Sequence, residues 1–229
     1  MNSTLQSFTA EDTWHGGHYG IEFELGAPSD DRVRVALQAI WSHPSLEGCY
    51  ISRDVEPCKQ VRVDLLENAL EGHLYGIATL PNGGSAACGT YICRLQDQKG
   101  QPLRDLLSFY VPLGALSKTY PVGPYPFSDV DRAAAWRPEL DRWMVNLGRR
   151  VFGEVRFPLA LVGFEVDFPK VTAEAVQRDG VPAKRYDGFL RQVGDRLEWY
   201  PPTDFELIRV TGIGGIGSPD ATPSSNPKT

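Results

Sequence analysis

Between His73 and Val111 the chain reads as three apolar runs separated by turn signals, and this stretch constrains the fold more than any other. His73–Leu80 is followed by Pro81-Asn82-Gly83-Gly84, then by Cys88–Leu95, then by Asp97-Gln98-Lys99-Gly100 and Leu106–Val111. Turns this short join strands antiparallel, because a parallel connection needs a crossover of a dozen residues or more. The centre of the protein is therefore expected to be an antiparallel sheet.

Other segments extend the pattern. Tyr19–Leu25 places Ile21, Phe23 and Leu25 on one face and Glu22 and Glu24 on the other, the period of a half-buried strand. Leu159–Phe168 begins as a continuous apolar run and then alternates, which predicts a central strand. Gln60–Leu66 reads as a short strand, Phe189–Val193 and Arg196–Tyr200 as a hairpin around Gly194-Asp195, and Phe205–Val210 as a last strand.

Two helices accompany them. Val33, Ala36, Leu37, Ile40 and Trp41 form one stripe at helical spacing, with Ser29 or Asp30 available as a cap and His43-Pro44 as a stop. Pro138 suits a first helical position ahead of Leu140, Trp143, Met144, Leu147 and Val151. Arg149 and Arg150 are expected in that helix's last turn, where cations complement the macrodipole. The predicted class is α+β: a mostly antiparallel sheet of roughly eight to ten strands with helices at about 30–42 and 138–151. Residues 1–217 are expected to form one globular domain and 218–229 a disordered tail, since the tail lacks aromatics and branched aliphatics.

Composition narrows the functional classes. The chain has 229 residues and a net charge of −6, and its cations, mostly arginine, are scattered among acids. That balance argues against nucleic-acid and anionic-membrane partners. No run of about 18 apolar residues is present, and Met1–Asp12 lacks the charge and apolar stretch of a leader, so the expected location is cytoplasmic. The four cysteines, Cys49, Cys58, Cys88 and Cys93, lack Cys-x-x-Cys spacing and read as free, buried, reduced thiols.

Catalytic motifs are incomplete. Gly212-Ile213-Gly214-Gly215-Ile216-Gly217 matches the dinucleotide fingerprint in letters, but Ser218-Pro219 follows where the phosphate-holding helix must start. Cys58 beside His43 or His73 would make a nucleophile–base dyad only if the fold joined them. The sharper possibility is a metal-dependent hydrolase. Gly20-Ile21-Glu22-Phe23-Glu24 and Gly163-Phe164-Glu165-Val166-Asp167 have the same form, and His15 and His18 lie just ahead of the first. If the two strands were neighbours with their acids on one face, those carboxylates and imidazoles would meet at a hard divalent cation. Without a metal, the same acids simply face water.

The remaining hint is Tyr120–Phe127, in which three prolines stiffen a segment carrying Tyr120, Tyr125 and Phe127. A stiff loop presents aromatic side chains at little ordering cost, and aromatics concentrate at interface hot spots. The favoured expectation is a non-enzymatic protein-binding domain, of inhibitor, immunity or accessory-subunit type, without cofactor or metal. It would use Tyr120, Tyr125 and Phe127 together with an acidic surface. A small-molecule pocket between sheet and helix near Trp143 is a third possibility.

Overall fold

The computed structural model describes residues 8–63, 72–122, 135–166 and 171–204. Among these residues, besides two short 3-10 turns, eight strands and four α-helices follow one another: β1 (His18–Gly26), α1 (Asp30–Trp41), β2 (Leu46–Tyr50), β3 (Leu74–Thr79), β4 (Ser85–Gln96), β5 (Pro102–Pro112), the single turn α2 (Leu113–Leu116), α3 (Arg137–Glu154), β6 (Leu159–Phe164), α4 (Ala173–Asp179), β7 (Gly188–Val193) and β8 (Arg196–Tyr200). The eight strands form one sheet in the order β2-β3-β4-β5-β1-β6-β7-β8, with every adjacent pair antiparallel. The α+β reading is therefore correct.

β1 is central, paired to β5 on one side and β6 on the other. Its odd-numbered side chains, Tyr19, Ile21, Phe23 and Leu25, are buried beneath the two long helices. α1 begins at Ser29, whose hydroxyl accepts from Arg32 N, and buries Val33, Ala36, Leu37, Ile40 and Trp41. α3 begins with Pro138 in its first turn and buries Leu140, Met144, Leu147 and Val151. The two helices pack against each other on this face. Arg149 and Arg150 lie a turn earlier than expected because α3 continues to Glu154. Arg150 serves the other helix instead: its guanidinium donates to the carbonyls of Ala39 (2.9 Å) and Ser42 (3.3 Å), at the C-terminus of α1.

α3 is also locked at its start by a buried polar cluster. Arg137 is fully buried between the rings of Tyr19 and Phe164. It donates to the Tyr19 hydroxyl (3.0 Å) and the Val162 carbonyl (3.4 Å), and it pairs with Asp141, to which the Tyr19 hydroxyl also donates. Asp187, just ahead of β7, is buried near this guanidinium and lies against Gly163, where a side chain would strike it. Burial pushes Asp187 up to about 7, against the pull of Arg137 and helped by Asp141.

On the opposite face, among the described residues, α4 covers one half. There α4 packs Val176 onto Leu106, Leu159, Leu161 and Phe189. Glu24 accepts from Ala173 N (2.8 Å) and from Arg104, which tethers α4 to the central strand.

Several sequence expectations shift. Gln60–Val63 is irregular rather than a strand, whereas Leu46–Tyr50 is a strand that its weak alternation did not announce. β6 stops at Phe164 because Glu165 takes a left-handed backbone conformation (φ 46). Cys49 and Cys88 are buried and free as expected, but Cys58 and Cys93 are exposed. The expected strand Phe205–Val210, the glycine-rich stretch and the tail 218–229 lie outside the described residues.

Two outcomes test this packing. A methyl at Gly76 would overlap the Trp41 ring and the Glu47 carbonyl, so Gly76→Ala should cost about 1–3 kcal/mol in urea unfolding. Asp187 binds its proton more tightly folded than unfolded, so wild-type stability should fall as pH rises from about 4 to about 7. Asp187→Asn should flatten that slope, raising the urea midpoint above wild type at pH 8 and not at pH 5.

Candidate functional site

The antiparallel register decides the fate of the acidic pairs. Gly20 lies opposite Gly163, so residues two beyond each glycine run in opposite directions along the sheet. Glu22 faces Leu161, while Glu165 passes the strand end near His18. Four residues of strand, about 13 Å, separate the two positions. The strands are neighbours, but their acids do not converge.

Each candidate ligand has its own partner instead. Glu165 accepts from the main-chain amide of His18 (2.7 Å) and lies 3.1 Å from the His18 Nδ1. Burial raises its pKa, but the hydrogen bonds and charge of His18 outweigh burial and hold it below the usual carboxylate range. Glu22 accepts from the Ser108 hydroxyl (2.8 Å) beneath Tyr91. Glu24 belongs to Arg104 and α4, and His15 is exposed beside Glu11. Asp167 lies outside the described residues. Among the described residues no three His, Cys, Asp or Glu side chains are placed to hold a metal ion.

Beyond α4 on this face, the described residues gather a set of rings. His73 stacks on Tyr75 (5.9 Å, 10° between planes) and lies 5.1 Å from Tyr91 and 5.7 Å from Tyr110. His18 lies 5.4 Å from Tyr110, and Tyr75 continues through Trp14 to Phe8 at 5.1 and 5.3 Å. These separations suit edge-on and offset ring contacts. Gly89 is required beneath them, since a side chain there would strike the Tyr110 ring.

The ring cluster is built for hydrogen bonding and contact. His73 Nδ1 and the Tyr110 hydroxyl are 2.8 Å apart. Burial, with the charges of Arg53 and His18, holds His73 below its ordinary value, so its imidazole is neutral at pH 7. Burial pushes Tyr91 up to about 12, with Glu22 adding, and pushes Tyr110 and Cys93 up as well. The hydroxyls therefore stay protonated, and the nearby thiol is a poor nucleophile.

Beside the rings stands the loop from Ile51 to Val63. Gln60 closes it, donating from Nε2 to the carbonyls of Ser52 (2.7 Å) and Val55 (2.6 Å) and accepting from Ser52 N (3.2 Å). Glu56 anchors it to Thr9 (2.8 Å), and Val63 N donates to Cys49 O (3.2 Å) at the edge of β2. The charge of Arg53 reaches His73, Tyr75 and Tyr110, so this loop borders the ring cluster. It also carries Ile51, Val55 and Val61 at 56%, 38% and 84% exposure. The loop is thus fixed by side-chain hydrogen bonds while three branched aliphatics stay exposed on it.

Of the residues expected to meet a partner, Tyr120 is buried, packs on Trp136 (5.8 Å) and donates its hydroxyl to Glu139 (3.1 Å). Tyr125 and Phe127 lie outside the described residues. The exposed aliphatics of the 51–63 loop and the ring cluster were missed, because the rings come from four separate strands or their flanks. No family model, curated protein or solved structure matches the chain. Among the described residues, no helix is long and apolar enough to cross a membrane.

The Glu165–His18 pair predicts a pH signature. A carboxylate held below its unfolded value adds stability above that value, and the addition is lost as pH falls through the folded one. Glu165→Gln should therefore lower the urea midpoint at pH 7, and the gap to wild type should close below about pH 4.

Proposed function

We propose that this chain is a protein-binding domain without catalysis of its own, of the inhibitor or accessory-subunit kind. Its partner docks on the 51–63 loop and the neighbouring rings, and the proline-rich segment Tyr120–Phe127 offers Tyr125 and Phe127 as a second candidate contact. The observation that carries the reading is the exposure of Ile51, Val55 and Val61 on a loop tied down by Gln60. Exposed aliphatics contribute nothing to folding while they face water, and a partner that covers them gains by removing that apolar surface from water. Tyr75 and Tyr91, both half-buried, supply the rigid amphipathic contacts that interface centres favour.

The net charge of −6 favours a basic partner and a salt-dependent association rate. The hydrolase alternative has no comparable support, since its carboxylates are engaged separately by His18, Ser108 and Arg104.

Affinity capture with tagged protein tests the proposal. Ile51→Ser with Val61→Ser, and separately Tyr125→Ala with Phe127→Ala, should each keep the circular-dichroism spectrum of wild type. Each pair should weaken recovery of a co-purifying partner at least tenfold, about the 1.4 kcal/mol expected from losing one good contact. Undiminished recovery with both pairs would refute it.

A further inference from the structure

A cavity of about 340 Å³ opens on the α4 side of the sheet, away from the ring cluster. Its apolar wall is Leu159, Ala173 and Val176, and its polar wall is Gln177, Arg191 and Gln192. Volume and mixed lining fit a small ligand of a few carbons, near the lower end of the range for such sites.

Arg191 gives the cavity its chemistry. It stands opposite Glu198 in the β7–β8 pairing, and Glu198 accepts from the Tyr200 hydroxyl (2.6 Å) without forming an ion pair with Arg191. The acids on the other flank, Glu24 and Glu174, are both held by Arg104. Arg191 forms no ion pair among the described residues. A planar guanidinium beside an aliphatic wall suits a carboxylate that takes two parallel hydrogen bonds and carries a short apolar group that fills the rest.

We infer that this cavity binds an amphipathic carboxylate, with Arg191 on the carboxylate and Leu159, Ala173 and Val176 on the apolar group. Both a free short-chain acid and the C-terminal residue of a peptide offer that chemistry. The site is separate from the docking surface proposed above and stands or falls independently of it.

Titration of the full chain, followed by amide NMR shifts of β7 and α4, tests the inference. The probes are hexanoate, 1-hexanol, and acetyl-Ala-Ala-Leu as free acid and as amide. At least one carboxylate should bind, with affinity near millimolar for so few atoms, and at least tenfold more tightly than its neutral counterpart. Hexanoate alone would identify a free acid as the ligand, the tripeptide acid alone a chain terminus, and both the shared chemistry. Arg191→Gln should abolish the tenfold preference, and Ala173→Leu, which fills the cavity, should abolish binding while wild-type circular dichroism persists. Equal binding of acids and neutral analogues, a preference that survives Arg191→Gln, or no response to either acid would each overturn the assignment.

Discussion

The placement of β1 between β5 and β6, with Gly20 opposite Gly163, is the constraint from which the rest of the structure follows. It sends Tyr19, Ile21, Phe23 and Leu25 beneath α1 and α3, where burial of large apolar side chains supplies most of the stabilisation. The same register turns Glu22 and Glu24 to the opposite face, and each buried acid there must find a donor. Ser108 meets the first, and Arg104 with the start of α4 meets the second. A shift of one residue would exchange the two faces and bury acids beneath the helices.

Arg137 ties the first residue of that buried set to the start of α3. A buried guanidinium is tolerated because two rings, a hydroxyl, a carbonyl and Asp141 replace its water. Asp187 lies close enough to feel that charge, but burial outweighs it and pushes Asp187 toward its neutral form. The cluster thus fixes where α3 begins and makes its hold pH-sensitive. On the other face, α4 covers the half near Glu24, and beyond it the rings of Tyr75, Tyr91 and Tyr110 lie together beside the 51–63 loop.

Much of the framework was legible in the chain. Alternation in Tyr19–Leu25, the two short turns between His73 and Val111, and the stripes of α1 and α3 are local patterns, and each marks an element that the fold contains. Weak or interrupted patterns misled. Leu46–Tyr50 is short and contains Gly48, so its pairing with β3 is not announced by alternation. Leu159–Phe168 alternates past Phe164, but the left-handed turn at Glu165 ends the strand where its carboxylate reaches His18. The matching glycine–acid segments do lie on neighbouring strands, the condition that a shared metal site required, and still do not form a site, because antiparallel pairing carries matched residues apart.

Period-two and helical spacing, short turns and charge balance are properties of consecutive residues, so the chain alone determined the α+β class, the antiparallel sheet and the two main helices. Which acids, rings and cavities stand together depends on register and on which half of a face a helix covers. Those are relations between residues far apart in the chain: Tyr91 and Tyr110, Glu165 and His18, or Arg191 and Val176 meet only once the strands have paired. Folding alone decided the ring cluster, the closed loop beside it and the cavity beside Arg191.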